Sequence, residues 1–109
     1  MSVFIPIKPL SVNNCWQGKR FKTPEYGRYE TAVLLMLPKI TIPTSPLKIC
    51  LEFGMSNVLS DWDNPVKPFQ DILQKKYGFD DRDIIEAHVK KVKVSKGSEY
   101  VKFELISVK

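Results

Sequence analysis

The chain has 109 residues, 43% hydrophobic and 27% charged, with a formal net charge of +5. That length fits one domain, residues 1–109, with a real core and no room for a second. The composition excludes a disordered, low-complexity or repeat architecture. The longest apolar run, Ala32 to Leu37, falls far short of a membrane span, and Met1-Ser2-Val3-Phe4-Ile5-Pro6 has no basic stretch ahead of a long apolar one. A cytoplasmic protein with no membrane association is expected. Cys15 and Cys50 are isolated, with only His88 as a nitrogen ligand, which argues against zinc and against a disulfide framework.

In chain order, Val3 to Ile7 reads as a short strand ended by Pro9, and Ser11 to Lys22 as a loop. Thr23 can cap a helix with Pro24 at its first position, and Tyr26, Tyr29, Val33 and Leu37 then recur at helical spacing until Pro38. Leu47, Ile49, Leu51 and Phe53 alternate with Lys48, Cys50, Glu52 and Gly54, as in a strand with one buried face. Asn64-Pro65 opens a second helix, whose stripe Val66, Phe69, Ile72, Leu73 and Tyr77 ends at Gly78, suited to the left-handed C-terminal position. Pro68 is awkward so near its start. Ile84 to Val94 reads as a strand, Lys96-Gly97-Ser98 as a turn, and Val101, Phe103 and Leu105 as one face of a last strand. The last two strands are expected to form a hairpin. The order β-α-β-α-β-β implies a small α/β (α+β) domain with two main helices on a mixed sheet of about four strands.

Charge is distributed unevenly over these elements. All six aspartates lie between Asp61 and Asp83, and the formal balance is +4 over residues 1–57, −3 over 58–88 and +4 over 89–109. Carboxylates gathered in this way raise one another's pKa unless a cation offsets the repulsion. Mg²⁺ is the natural candidate, because it takes hard oxygen ligands and keeps waters for chemistry. Asp61 and Asp63 are two apart, so in an extended segment both point the same way. Asp80 and Asp81 lie past the far end of the second helix and approach the first pair only if both segments share a sheet edge. Lys67 and Asp71 are four apart on that helix and can share a face. An EF-hand loop is excluded, since Pro65, Val66 and Ile72 stand where a ligand, the turn glycine and the bidentate acid would be needed. His88 has no acid or nucleophile at a telling distance in sequence and is given no catalytic role.

As a whole, the order Ile5-Pro6 with Pro9, then Ser11, Asn13 and Asn14, then Asp61-Trp62-Asp63-Asn64 with Lys67 and Asp71, then Gly78-Phe79-Asp80-Asp81 and the β-rich Ile84 to Lys91, resembles the RusA family of Holliday junction resolvases from end to end. Val58-Leu59-Ser60 departs from the basic run that members can carry before the first aspartate. The resemblance implies that Asp61, Asp63 and Asp81 bind a divalent metal, Mg²⁺ with Mn²⁺ as a substitute, and that Lys67 is a further catalytic residue. Asp80, Asn64 and Asp71 are additional site candidates. It also implies a homodimer, of bacterial or phage origin and held at the nucleoid through DNA, that hydrolyses paired phosphodiester bonds in four-way junctions during recombination and repair.

On that reading the DNA-facing residues are Asn13, Asn14, Trp16, Lys19, Arg20, Lys22, Lys91 and Lys93, with Arg28, Lys90 and Lys96 as further phosphate contacts. Trp16 or Phe21 could stack on an unpaired base, ordinary packing being the stronger expectation for Phe21. Two other classes remain open: a non-catalytic nucleic-acid-binding module, and a structural dimer whose aspartates are only surface. A nuclease using a Glu-x-Lys strand motif is disfavoured, because Glu86 is followed by Ala87 and His88.

Overall fold

A computed structural model describes residues 2–17, 21–57 and 61–108. Its strands are β1 (Val3–Ile5), β2 (Trp16–Gln17), β3 (Phe21–Lys22), β4 (Leu47–Met55), β5 (Ile84–Lys93) and β6 (Tyr100–Ser107), and its helices are α1 (Pro24–Met36) and α2 (Val66–Tyr77). β1, β6, β4 and β5 form one mixed sheet in that spatial order, and β2 pairs with β3 in a small separate ribbon. This is the expected class, two helices on a four-stranded mixed sheet. The β2–β3 ribbon lies where a loop was expected.

Local chemistry explains each boundary. β1 stops ahead of Pro6, which has no N–H to give to a ladder. Thr23 caps α1, its hydroxyl accepting from the Tyr26 N–H at 3.1 Å, and Pro24 occupies the first turn, where a donor would have no partner. In α2 the buried Pro68 is harmless for the same reason: it sits in the first turn, so no intrahelical bond is lost. Gly78 ends α2 with φ +78, a conformation that glycine alone adopts without strain, and its N–H donates to the Gln74 carbonyl at 2.8 Å.

The expected β5–β6 hairpin does not form. The turn does: Gly97 has φ +96 and the Ser98 N–H donates to the Ser95 carbonyl. It crosses the end of β4 instead of joining neighbours. β4 pairs antiparallel with β6 on one side and parallel with β5 on the other. A parallel neighbour needs a long crossover, and α2 provides it. β4 has the fullest inward alternation, with Leu47, Ile49, Leu51 and Phe53 all buried, so the centre is where its burial counts most. β5, largely exposed, takes an edge.

Both helices cover one sheet face. Phe69 of α2 is fully buried between Phe53 of β4 (ring centroids 6.3 Å apart, perpendicular) and Phe103 of β6 (5.7 Å). Tyr29 and Val33 of α1 join the same core. On the other face, Gly54 lies under Tyr100, whose ring occupies the space a Cβ would need.

Glu30 joins three elements, accepting hydrogen bonds from Lys75 of α2 at 3.0 Å and Lys22 of β3 at 3.2 Å. Burial by itself raises its pKa, but the bonds from Lys75 and Lys22 outweigh it and hold the carboxyl below its ordinary value. A pKa lowered by folding stabilises above the unfolded value, and the contribution is lost as pH falls through the folded one. Glu30→Gln should therefore cost roughly 0.5–1 kcal/mol at pH 7, since both lysines are half exposed and screened. Thermal melts should show the difference shrinking as pH falls below 4.5, the ordinary carboxyl value.

Candidate metal centre and nucleic-acid face

The acidic segment is a series of turns rather than an extended strand. The Asn64 N–H donates to the Asp61 carbonyl at 3.3 Å and the Val66 N–H to the Asp63 carbonyl at 3.1 Å, so the chain winds directly into α2. Asp61, Trp62 and Asp63 are exposed. Among the described residues the Asp61 and Asp63 carboxylates have no hydrogen bond or ion pair. Trp62 lies beside Ala87, Val89, Lys90 and Lys91, which places the acidic turn along β5. Asp81 opens the short 3-10 turn Asp81–Asp83 that leads into the same strand. Both acidic segments therefore share the β5 edge, the condition under which they could approach.

One backbone bond ties this turn to the rest of the site. The Val12 N–H donates to the Asn64 carbonyl at 2.9 Å, fixing the 3-10 turn Val12–Asn14 against the start of α2. Ser11 caps that turn, accepting from the Asn13 N–H at 3.2 Å, and the Thr23 hydroxyl donates to the Asn14 carbonyl at 2.6 Å. Asn13 and Asn14, the acidic turn and the start of α1 are thus one hydrogen-bonded unit, with both asparagine side chains exposed.

On α2, the Lys67 ammonium is 2.9 Å from the Asp71 carboxylate. Its pKa is raised, first by the hydrogen bond to Asp71 and further by the Coulombic attraction of Asp71 and Asp81. Among the described residues the one direct partner of the Lys67 ammonium is thus Asp71, in the middle of the acidic region. Asp71 also acts across to the β2–β3 side. The Cys15 thiol is pushed up first by burial and then by Glu25 and Asp71, and Tyr26 is pushed up to about 12 by burial and then Asp71.

Not every acid is free for chemistry. Asp80 is a cap: its carboxylate accepts from the Arg82 N–H at 3.0 Å, while the Asp83 carboxylate accepts from the Asp80 N–H at 3.0 Å. Its pKa is lowered first by the Arg82 backbone bond and then by Asp81. Asn64 contributes its backbone carbonyl to the site, and Asp71 an ion pair. Among the described residues no three His, Cys, Asp or Glu side chains stand in a ready metal-holding group. Donor chemistry at Asp61, Asp63 and Asp81 nonetheless suits Mg²⁺, which is usually held by one or two carboxylates together with waters and substrate phosphate.

The proposed DNA contacts divide. Lys91 and Lys93 pair in register with Phe53 and Met55, on the helix-bearing side of β5, with Lys91 next to Trp62, whereas Lys90 pairs with Glu52 and faces the opposite side. Lys22 is occupied, ion-paired with Glu30 and 5.2 Å from the centroid of the Tyr26 ring. Trp16 is 44% exposed and packs edge-on against Tyr26 at 5.9 Å, while Phe21 is 71% exposed. The expectation that Phe21 is the better packed of the two is reversed, because Trp16 has the Tyr26 ring against it and Phe21 has no ring partner among the described residues. Lys19, Arg20 and Val58-Leu59-Ser60 lie outside the described residues. Trp62, 56% exposed, is a further surface aromatic of this face, and its signal in the sequence is a tryptophan flanked by two acids. No protein-family model matches the chain, and no curated protein sequence matches it significantly.

Proposed function

We propose that this protein is a metal-dependent endonuclease acting on branched DNA, a four-way junction resolvase of RusA type that works as a homodimer. The observation that carries the reading is the Lys67–Asp71 ion pair at 2.9 Å on the helix that the exposed Asp61–Asp63 turn leads into. Asp61, Asp63 and Asp81 would hold Mg²⁺ or Mn²⁺, which when bound supplies Lewis acidity toward the phosphate and lowers the pKa of a bound water. The chain's own groups do the rest. Lys67 offsets charge developing on the phosphate oxygens as the bond breaks, and Asp71 orients it. Asn13 and Asn14 donate to the sugar-phosphate backbone, Lys91 and Lys93 neutralise phosphates along β5, and none of these contacts reads base sequence. A junction has approximate two-fold symmetry, so a dimer with isologous contacts presents equivalent sites to equivalent strands.

The direct test is incubation of the protein with a synthetic four-way junction and a linear duplex, with and without Mg²⁺. Paired nicks in the junction alone, dependent on Mg²⁺, are expected. Junction binding that never proceeds to cleavage would assign the protein to the non-catalytic binding class, and neither binding nor cleavage to the structural class. Lys67→Ala should slow cleavage about 10²-fold, the scale of losing one electrostatic stabiliser. It should change stability by less than about 0.5 kcal/mol, as for an exposed i,i+4 pair. Normal cleavage by this variant would leave Lys67 a surface ion-pair partner.

A further inference from the structure

We propose that the cavity between α1 and residues 7–11 is a nucleotide site, which takes one unpaired nucleotide of the DNA strand held at the acidic turn. The strand as its source rests on the nuclease reading; the chemistry of the cavity does not. The volume is about 520 Å³, inside the range of roughly 300–1,000 Å³ usual for small-molecule sites. One stripe of α1 forms a wall, with Glu25, Arg28, Tyr29 and Ala32 recurring at helical spacing. Met55 and Ser56, where β4 ends, form another.

Three observations select a nucleotide. Ile7, Pro9, Leu10, Ala32 and Met55 give the cavity an apolar lining, which suits a planar ring and offers an inorganic anion nothing. Charges of both signs stand around that lining. Arg28 has no ion pair or hydrogen bond among the described residues, so it is available to a phosphate. Glu99 is a fixed acceptor, receiving the Ser56 hydroxyl at 2.8 Å and the Gly97 N–H at 2.8 Å, with lone pairs left for the exocyclic amine of a base. The third observation is Tyr29, whose hydroxyl is buried in the wall without a hydrogen-bond partner among the described residues. The Leu10 backbone beside it offsets only part of the pKa rise that burial causes. A buried phenol left in this way is a group that a ligand can satisfy.

Position ties the cavity to the strand. Ser11 and Asn14, which line it, belong to the turn whose Val12 N–H donates to the Asn64 carbonyl. Asn57, also in the lining, stands four residues before Asp61, so their Cα atoms are at most about 14 Å apart. That span is about four steps of a strand rising roughly 3.4 Å per nucleotide.

NMR titration of the isotope-labelled full chain with dAMP, without Mg²⁺, tests the assignment. The amide signals of Arg28, Tyr29, Ala32 and Ser56 should shift together and saturate, and inorganic phosphate at the same concentration should leave them in place. Affinity should fall at least about tenfold for dTMP, which has no exocyclic amine, and for Arg28→Gln, the scale of losing one hydrogen bond to a charged group. Lys76→Gln, exposed on α2, should not change it. Ala32→Trp, which fills the cavity, should abolish the shifts, and Arg28→Gln, at an exposed position, decides the matter if that variant fails to fold. A four-way junction added in EDTA should displace the dAMP. Absent shifts, equal shifts with inorganic phosphate, or undiminished affinity for dTMP or in Arg28→Gln would overturn the nucleotide site, and dAMP that stays bound in the junction complex would overturn the strand as its source. The two readings fail separately: junction cleavage without dAMP binding removes this site alone, whereas dAMP binding by a protein that neither binds nor cuts junctions removes the nuclease and its strand but keeps the nucleotide site.

Discussion

Asn in place of Asp61, Asp63 or Asp81 should reduce junction cleavage by at least about 10²-fold, with folding intact and junction affinity kept or raised. The expectation of intact folding follows from the positions themselves. All three are exposed, and those at 61 and 63 have no partner among the described residues, so the neutral isostere breaks no hydrogen bond or ion pair at those two positions. Binding should survive because phosphate contacts from lysines supply most of the affinity, and each substitution removes one negative charge facing a polyanion. Gel-shift titration in EDTA and single-turnover cleavage in Mg²⁺ separate the two quantities. Near-normal cleavage by two of the three variants would end the metal-site assignment, whatever became of the dimer.

The largest effect on stability is expected at Phe69→Ala, a loss of about 3–5 kcal/mol. Phe69 is fully buried and bridges β4 and β6 through Phe53 and Phe103. Its removal forfeits both ring contacts and leaves a cavity between rigid strands that cannot collapse to fill it. Domains of this size are stable by only about 5–15 kcal/mol, so the variant should lose much of its margin against denaturant. Because Phe69 lies two residues from Lys67 on α2, junction cleavage should fall with it at temperatures where the wild type is fully folded. A midpoint shift of under 1 kcal/mol equivalent would mean that the core has another centre.

Elements whose determinants are local were legible in the sequence. Thr23-Pro24 and Gly78 mark helix ends through backbone chemistry that needs no partner, and the alternation from Leu47 to Phe53 reports one buried face wherever the strand ends up. The Lys67–Asp71 pair likewise follows from helical spacing alone. What stayed hidden depends on which elements meet. β5 pairs parallel with β4 rather than with β6, because strand order is decided by competition among all strands for the centre of the sheet, and a good turn at Gly97 cannot report that β4 lies between its two arms. The same placement separates Lys90 from Lys91 and Lys93, neighbours in sequence that the pleat sends to opposite faces. The sequence determined which residues are acidic, apolar or turn-forming, since those properties belong to the residues themselves. Only the tertiary structure decided that the Val12 N–H reaches the Asn64 carbonyl, that Glu30 meets Lys75, and that both helices pack on the same sheet face, because each of these depends on contacts between segments far apart in the chain.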